Sequence, residues 1–106
     1  MARTLSLTAV TVLQALAAGS RYGFDIIDRT GLPSGTVYPA LSRCERDGYV
    51  RSTWENAEAA REDKRPPRRY YQLTPHGRRA LEAALERLRA IGGMASRPAA
   101  ARSRNE

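Results

Sequence analysis

Sulfur and imidazole are nearly absent from this 106-residue chain, which has one cysteine, Cys44, one histidine, His76, and two methionines. A lone cysteine excludes an intramolecular disulfide and any thiolate metal cluster. With a single histidine, a metal site would have to be built from carboxylates, so neither metal nor cofactor is expected. Long apolar runs are missing too: none reaches the ~18 residues needed to span a bilayer. The most apolar stretch, MARTLSLTAVTVLQALAAG, is interrupted by Thr and Gln and is needed as a core helix, which argues against a signal peptide. A reducing, cytoplasmic location without a membrane partner is the expectation. Catalytic equipment is equally thin. One Cys, one His and no phosphate-cradling glycine loop leave little to support an enzyme.

Acidic residues are in short supply as well. Lys and Arg number 18 against 11 Asp and Glu, a formal net charge of +7, and Lys64 is the sole lysine. Such a balance favours an acidic polymer or an anionic surface as partner, although a basic but inert surface fits the composition too. The length allows one domain with a modest core.

Apolar periodicity supplies the organisation. Leu5, Ala9, Val10, Leu13, Leu16 and Ala17 recur at helical spacing, with Thr4 or Ser6 as N-cap and Gly19 as stop, predicting a helix over 6–18. A short second helix over 22–29 presents Phe24, Ile26 and Ile27 inward and ends at Gly31, with Pro33 close behind. A third begins at Ser34, a plausible N-cap, after the short link of a helix-turn-helix. Past Asp47-Gly48 the period changes to two: VRSTW and RYYQL read as strands, joined by a long polar loop. Thr74-Pro75 opens a last helix marked by Ala80, Leu81, Ala84, Leu85, Leu88 and Ile91, which Gly92-Gly93 should end. Residues 93–106 read as a disordered basic tail. The order α-α-α-β-β-α predicts a mainly α domain over 1–92 with a small two-stranded antiparallel β wing, a winged helix-turn-helix.

The third helix, SGTVYPALSRCERDGY, carries the chemistry. At 100° per residue, Val37, Ala40, Leu41 and Cys44 fall together as a core face. Cys44 therefore reads as a packing residue rather than a redox sensor. The opposite face holds Ser34, Gly35, Pro39, Ser42, Arg43 and Arg46, flanked by Thr36 and Tyr38. Small residues allow close approach, hydroxyls and helix N–H groups suit phosphates, and the arginine fork suits phosphate or guanine. Pro39, inside the first two turns, should distort the helix start. In the loop, Lys64, Arg65, Arg68 and Arg69 form a basic arm stiffened by Pro66-Pro67, placed to meet phosphates or a minor groove. Leu81, Leu85, Leu88 and Ile91 offer a seam for a second copy over about 75–91, a run of about four turns. Trp54 reads as a core or sheet-covering residue, and His76 as exposed and inert.

YGFDII, SGTVYPALSRCERDGYV, Trp54 and RRYYQLTPHGRRAL together resemble the PadR-type, phenolic-acid-responsive winged helix-turn-helix regulators, over about residues 22–81 in order and spacing. With one helix after the wing, the chain looks like the compact subgroup. The AEAAREDK tip of the loop matches no string of that family. The resemblance implies a homodimeric, usually repressing, DNA-binding protein, with the TVYPAL helix in the major groove and release by a small-molecule effector. The expectation is therefore a regulator on a palindromic operator of double-stranded DNA. The rival from another class is a winged-helix protein–protein interaction module without specific DNA binding.

Overall fold

The computed structural model describes the backbone of residues 4–102 and the side chains of residues 4–92. Ser6 caps the first helix, α1 (Leu7–Ala17), its Oγ accepting from Ala9 N–H at 3.1 Å. Ala18 and Gly19 end it in a left-handed turn: Ser20 N–H reaches the Ala15 carbonyl at 3.0 Å and Gly19 N–H that of Leu16 at 3.1 Å. These paired bonds take up two of the carbonyls a helix end leaves over. The second helix, α2 (Gly23–Thr30), stops at Gly31, whose φ of 76° favours glycine.

The third helix, α3 (Ser34–Arg46), starts one residue earlier than a Ser34 cap would allow. Pro33 is the cap, its carbonyl taking N–H groups from Thr36 and Val37 at 2.9 and 3.0 Å. The helix also runs unbroken through Pro39. Both Pro39 and Gly35 lie on the exposed side, so solvent can satisfy the carbonyl that loses its partner.

Strands β1 (Val50–Trp54) and β2 (Arg69–Leu73) pair antiparallel, from Val50 opposite Leu73 to Trp54 opposite Arg69. Residues Arg21 and Tyr22 add a short edge to this wing: Tyr71 N–H bonds the Arg21 carbonyl at 2.8 Å, and Tyr22 bridges Tyr70. The loop is not structureless. It contains a further helix, α4 (Ala57–Glu62), capped by Asn56 Oδ1, which accepts from Glu58 and Ala59 N–H at 2.7 and 3.2 Å. Strong helix formers behind an asparagine cap account for it.

The last helix, α5 (Pro75–Arg102), runs through Gly92-Gly93, where an end was expected. Glycine costs about 1 kcal/mol in a helix interior, and the alanines on either side favour continuation. Part of the expected tail is thus helical, and residues 103–106 lie outside the described residues.

One core joins these elements: Val12, Leu13, Ile26, Val37, Ala40, Leu41, Cys44, Val50, Leu73, Leu81 and Ala84 are all buried. Two residues expected inside are not. Phe24 is 67% and Trp54 66% exposed. The inward side of the short α2 is taken by Ile26 and Gly23, and Trp54 sits at the strand end farthest from the Val50–Leu73 pair.

Candidate nucleic-acid interface

Burial of Val37, Ala40, Leu41 and Cys44 fixes the rotation of α3 and leaves Ser34, Gly35, Tyr38, Pro39, Ser42, Arg43 and Arg46 exposed, with Thr36 half-buried. Among the described residues, neither Arg43 nor Arg46 is paired with a carboxylate. Tyr38 is set by a close packing contact, because its ring lies over Gly23, where a Cβ would run into it. The glycine at the first position of α2 therefore allows the two helices of the turn to approach, with the phenol end of Tyr38 resting against it. Burial pushes the Cys44 thiol up to about 11, with Asp47 adding to the rise. The thiol stays protonated at neutral pH and acts as an apolar filler.

The wing is tied to this helix by side chains that the sequence pattern did not single out. Ser52 Oγ donates to Glu45 Oε2 at 2.6 Å, Arg69 Nε donates to Ser52 Oγ at 2.9 Å, and Arg69 Nη2 reaches Glu45 Oε1 at 3.2 Å. Glu45 belongs to α3, Ser52 to β1 and Arg69 to β2, so one network spans all three elements.

Arg65 and Arg69 of the expected basic arm are held by carboxylates. The Arg65 guanidinium makes a two-pronged pair with Glu55 at 2.6 and 2.7 Å, and its side chain is only 22% exposed. Glu55 also accepts from the Arg68 backbone N–H at 3.1 Å and from the Tyr70 hydroxyl at 3.3 Å. The Arg65 hydrogen bonds dominate in holding the Glu55 carboxyl down to about 2. Arg68 lies over the Tyr22 ring at 4.2 Å, and Arg69 over Trp54 at 5.5 Å. Arg65 therefore fastens the wing. Lys64, exposed and at a φ of 57°, projects from the loop without a carboxylate partner among the described residues.

The expected dimer seam divides in the same way. Leu81 is buried in its own core and Leu85 packs against it, whereas Leu88 is 40% and Ile91 56% exposed. His76, exposed as expected, stacks on Tyr49 with ring centres 4.9 Å apart. No cluster of His, Cys, Asp and Glu able to hold a metal occurs among the described residues. Nor is any helix there long and apolar enough to cross a membrane.

A helix-turn-helix with an exposed arginine-bearing third helix and a paired-strand wing defines a transcriptional regulator of the winged-helix class. Comparison with known proteins narrows this. A sequence model of the transcriptional regulator PadR-like family matches residues 12–83, and the chain belongs to that family. Its members are regulators of transcription and not enzymes. Among solved structures, a PadR family transcription regulator from Clostridium difficile superposes with a TM-score of 0.76 at 25% identity, covering 87% of this chain and 97% of that one. The PcaV regulator of Streptomyces coelicolor, in complex with its natural ligand, gives 0.75 at 20% identity over 92% of this chain and 64% of its own. BpsR of Bordetella bronchiseptica, whose DNA binding is regulated by 6-hydroxynicotinic acid, gives 0.70 at 20% identity over 85% and 60%. These last two similarities are of fold. No curated protein sequence matches the chain.

Proposed function

We propose that this regulator binds a palindromic operator as a homodimer and represses by occupying it, with release by a small-molecule effector. The observation that carries the proposal is the exposed, arginine-bearing outer face of α3, held against a wing in which Arg65 and Arg69 are engaged by Glu55 and Glu45. Ser34, Gly35, Thr36, Tyr38, Pro39, Ser42, Arg43 and Arg46 form the reading surface. Gly35 and Pro39 leave room for the duplex, and Arg43 and Arg46 reach base edges or phosphates. In the wing, Lys64 and the exposed edge of Arg69 remain for the backbone, and Arg68 is available once its stacking on Tyr22 is counted as orientation.

Dimerisation fits the course of the apolar stripe on α5. The stripe is covered by the protomer's own core at Leu81 and emerges from it at Leu88 and Ile91. A second copy meeting this stretch buries it and sets two α3 helices about one duplex turn apart. An effector fits two fold relatives: PcaV, in complex with its natural ligand, and BpsR, whose DNA binding is regulated by 6-hydroxynicotinic acid.

A mobility-shift titration against the DNA upstream of the chain's own gene tests the reading. A discrete shifted species is expected, with Arg46→Ala weakening it by roughly 1–3 kcal/mol. A smear without sequence preference would leave the protein–protein interaction module as the better account. Sedimentation of a Leu88→Glu/Ile91→Glu variant should give monomer where the parent chain gives dimer.

A further inference from the structure

A second arginine cluster lies away from the α3 face. A cleft of about 340 Å³ opens between the α1–α2 turn, the wing and the first turn of α5, and Arg21, Arg51 and Arg78 line it. We infer that this cleft is a binding site for a small dianion of the phosphate or phosphate-ester class.

The lining contains three guanidinium groups from three separate elements and no carboxylate. Several arginines elsewhere in this protein are answered by acids: Arg65 by Glu55, Arg69 by Glu45, Arg61 by Glu58. Arg51 and Arg78 have no such partner among the described residues, and the Arg21 guanidinium stacks at 4.5 Å on the Tyr70 ring, while its backbone N–H donates to Asp25 Oδ2 at 3.3 Å. Three like charges around one concavity repel each other, and the repulsion is relieved when an anion enters. A monocarboxylate would leave two of the three charges unanswered. A phosphate carries close to two charges and three acceptor oxygens, which suits several arginine forks at once. Thr53 and Gln72, from adjacent strands, add neutral hydrogen-bonding groups, and Leu16 and Leu73 supply apolar surface for an organic portion.

The polar strand residues of the cleft, Arg51, Thr53, Tyr70 and Gln72, share one strand face, whereas Ser52 and Arg69, which bond to α3, lie on the other; Tyr71 and Leu73 of that other face also border the cleft. The cleft nevertheless communicates with the wing, because Tyr70, under Arg21, donates its hydroxyl to Glu55.

The test uses the full chain without DNA, so its outcome is independent of the operator proposal. Inorganic phosphate is titrated calorimetrically at about pH 8, above its second ionisation, with ionic strength held constant by sodium chloride. Saturable binding at one site per chain is expected. Arg51→Gln and Arg78→Gln should each weaken it about tenfold or more, while Arg89→Gln, on the far part of α5, leaves it unchanged. Arg51 and Arg78 are exposed and lack a carboxylate partner among the described residues, so the variants should melt like the parent, which circular dichroism checks. Absence of saturable binding, or equal weakening by Arg89→Gln, overturns the site. Acetate binding as tightly as phosphate overturns the dianion class. Loss of duplex affinity in Arg51→Gln without any phosphate binding assigns the cleft to DNA and overturns the inference as well.

Discussion

Replacing Gly77 with alanine should destabilise this protein, against the usual expectation for a helical glycine. By propensity alone, alanine in a helix gains about 1 kcal/mol over glycine. Gly77 is buried in the first turn of α5, and a Cβ there would run into the Tyr49 carbonyl and come within 2.9 Å of the Tyr49 Cα. Backbone cannot swing aside as a side-chain tip can. Relieving the overlap costs about 1–3 kcal/mol. It also pulls on the hydrogen bond from Thr74 N–H to the Tyr49 carbonyl, 3.0 Å long, a bond worth about 1 kcal/mol. Setting the propensity gain against these terms leaves a net loss of roughly 1–3 kcal/mol. For a domain of this size each kcal/mol moves the midpoint by about 4–8 °C, so thermal unfolding at fixed protein concentration should show a clear drop. An unchanged or raised Tm would refute the contact and with it the packing of α5 against the α3–β1 connection at Tyr49.

Gly35→Ala is the counterpart: a Cβ there meets nothing within 4 Å, so Tm should hold or rise by a few degrees while operator affinity falls, if the duplex approaches α3 at that point. Normal affinity in this variant would place the duplex elsewhere. The depressed Glu55 carboxyl gives a pH prediction. Its contribution to wing stability is fully present above the ordinary carboxyl value of 4.5 and is lost as pH falls towards about 2. The Arg68 amide resonance, reporting on the bond to Glu55, should therefore titrate with a midpoint near 2; a midpoint near 4.5 would show the ion pair to be absent in solution. Arg65→Ala should loosen the wing and raise amide exchange at Arg68, an effect Arg46→Ala should not have, and equal exchange in the two variants would remove the distinction between fastening and reading arginines.

Much of this fold is legible because local signals agree with one another. Ser6, Gly31 and Thr74-Pro75 mark helix ends by their own chemistry, and the change of period at Val50 marks the wing. The face of α3 was legible too, since four apolar residues at helical spacing leave only one rotation. Pairings across distance were not legible. Glu55 and Arg65 stand ten residues apart, Glu45 and Arg69 twenty-four, and a run of basic residues looks the same whether or not carboxylates await it. Apolar character misled for Phe24 and Trp54, because hydrophobicity does not say that a short helix or a strand end reaches the core. Asn56 and AEAARE did carry a helix signal, masked by the polarity of the loop around them. At Gly92-Gly93 the glycines looked like punctuation, but a modest propensity cost ends a helix only when no better continuation exists.

The arrangement of arginines changes how the excess of positive charge bears on DNA. Were the wing arm free, affinity would be dominated by many phosphate contacts and would fall steeply with salt. With Arg65 and Arg69 held by Glu55 and Glu45, fewer cations are available to the backbone, and the proposed reading surface places more of the discrimination on Arg43, Arg46 and the fit of Gly35 and Pro39. The same pairs do something the free arm could not. Glu45–Ser52–Arg69 fixes the wing to α3, and Arg68–Tyr22–Tyr70 fixes it to the entry of α2. Helix and wing then approach a duplex as one preformed surface, which lowers the ordering cost of binding.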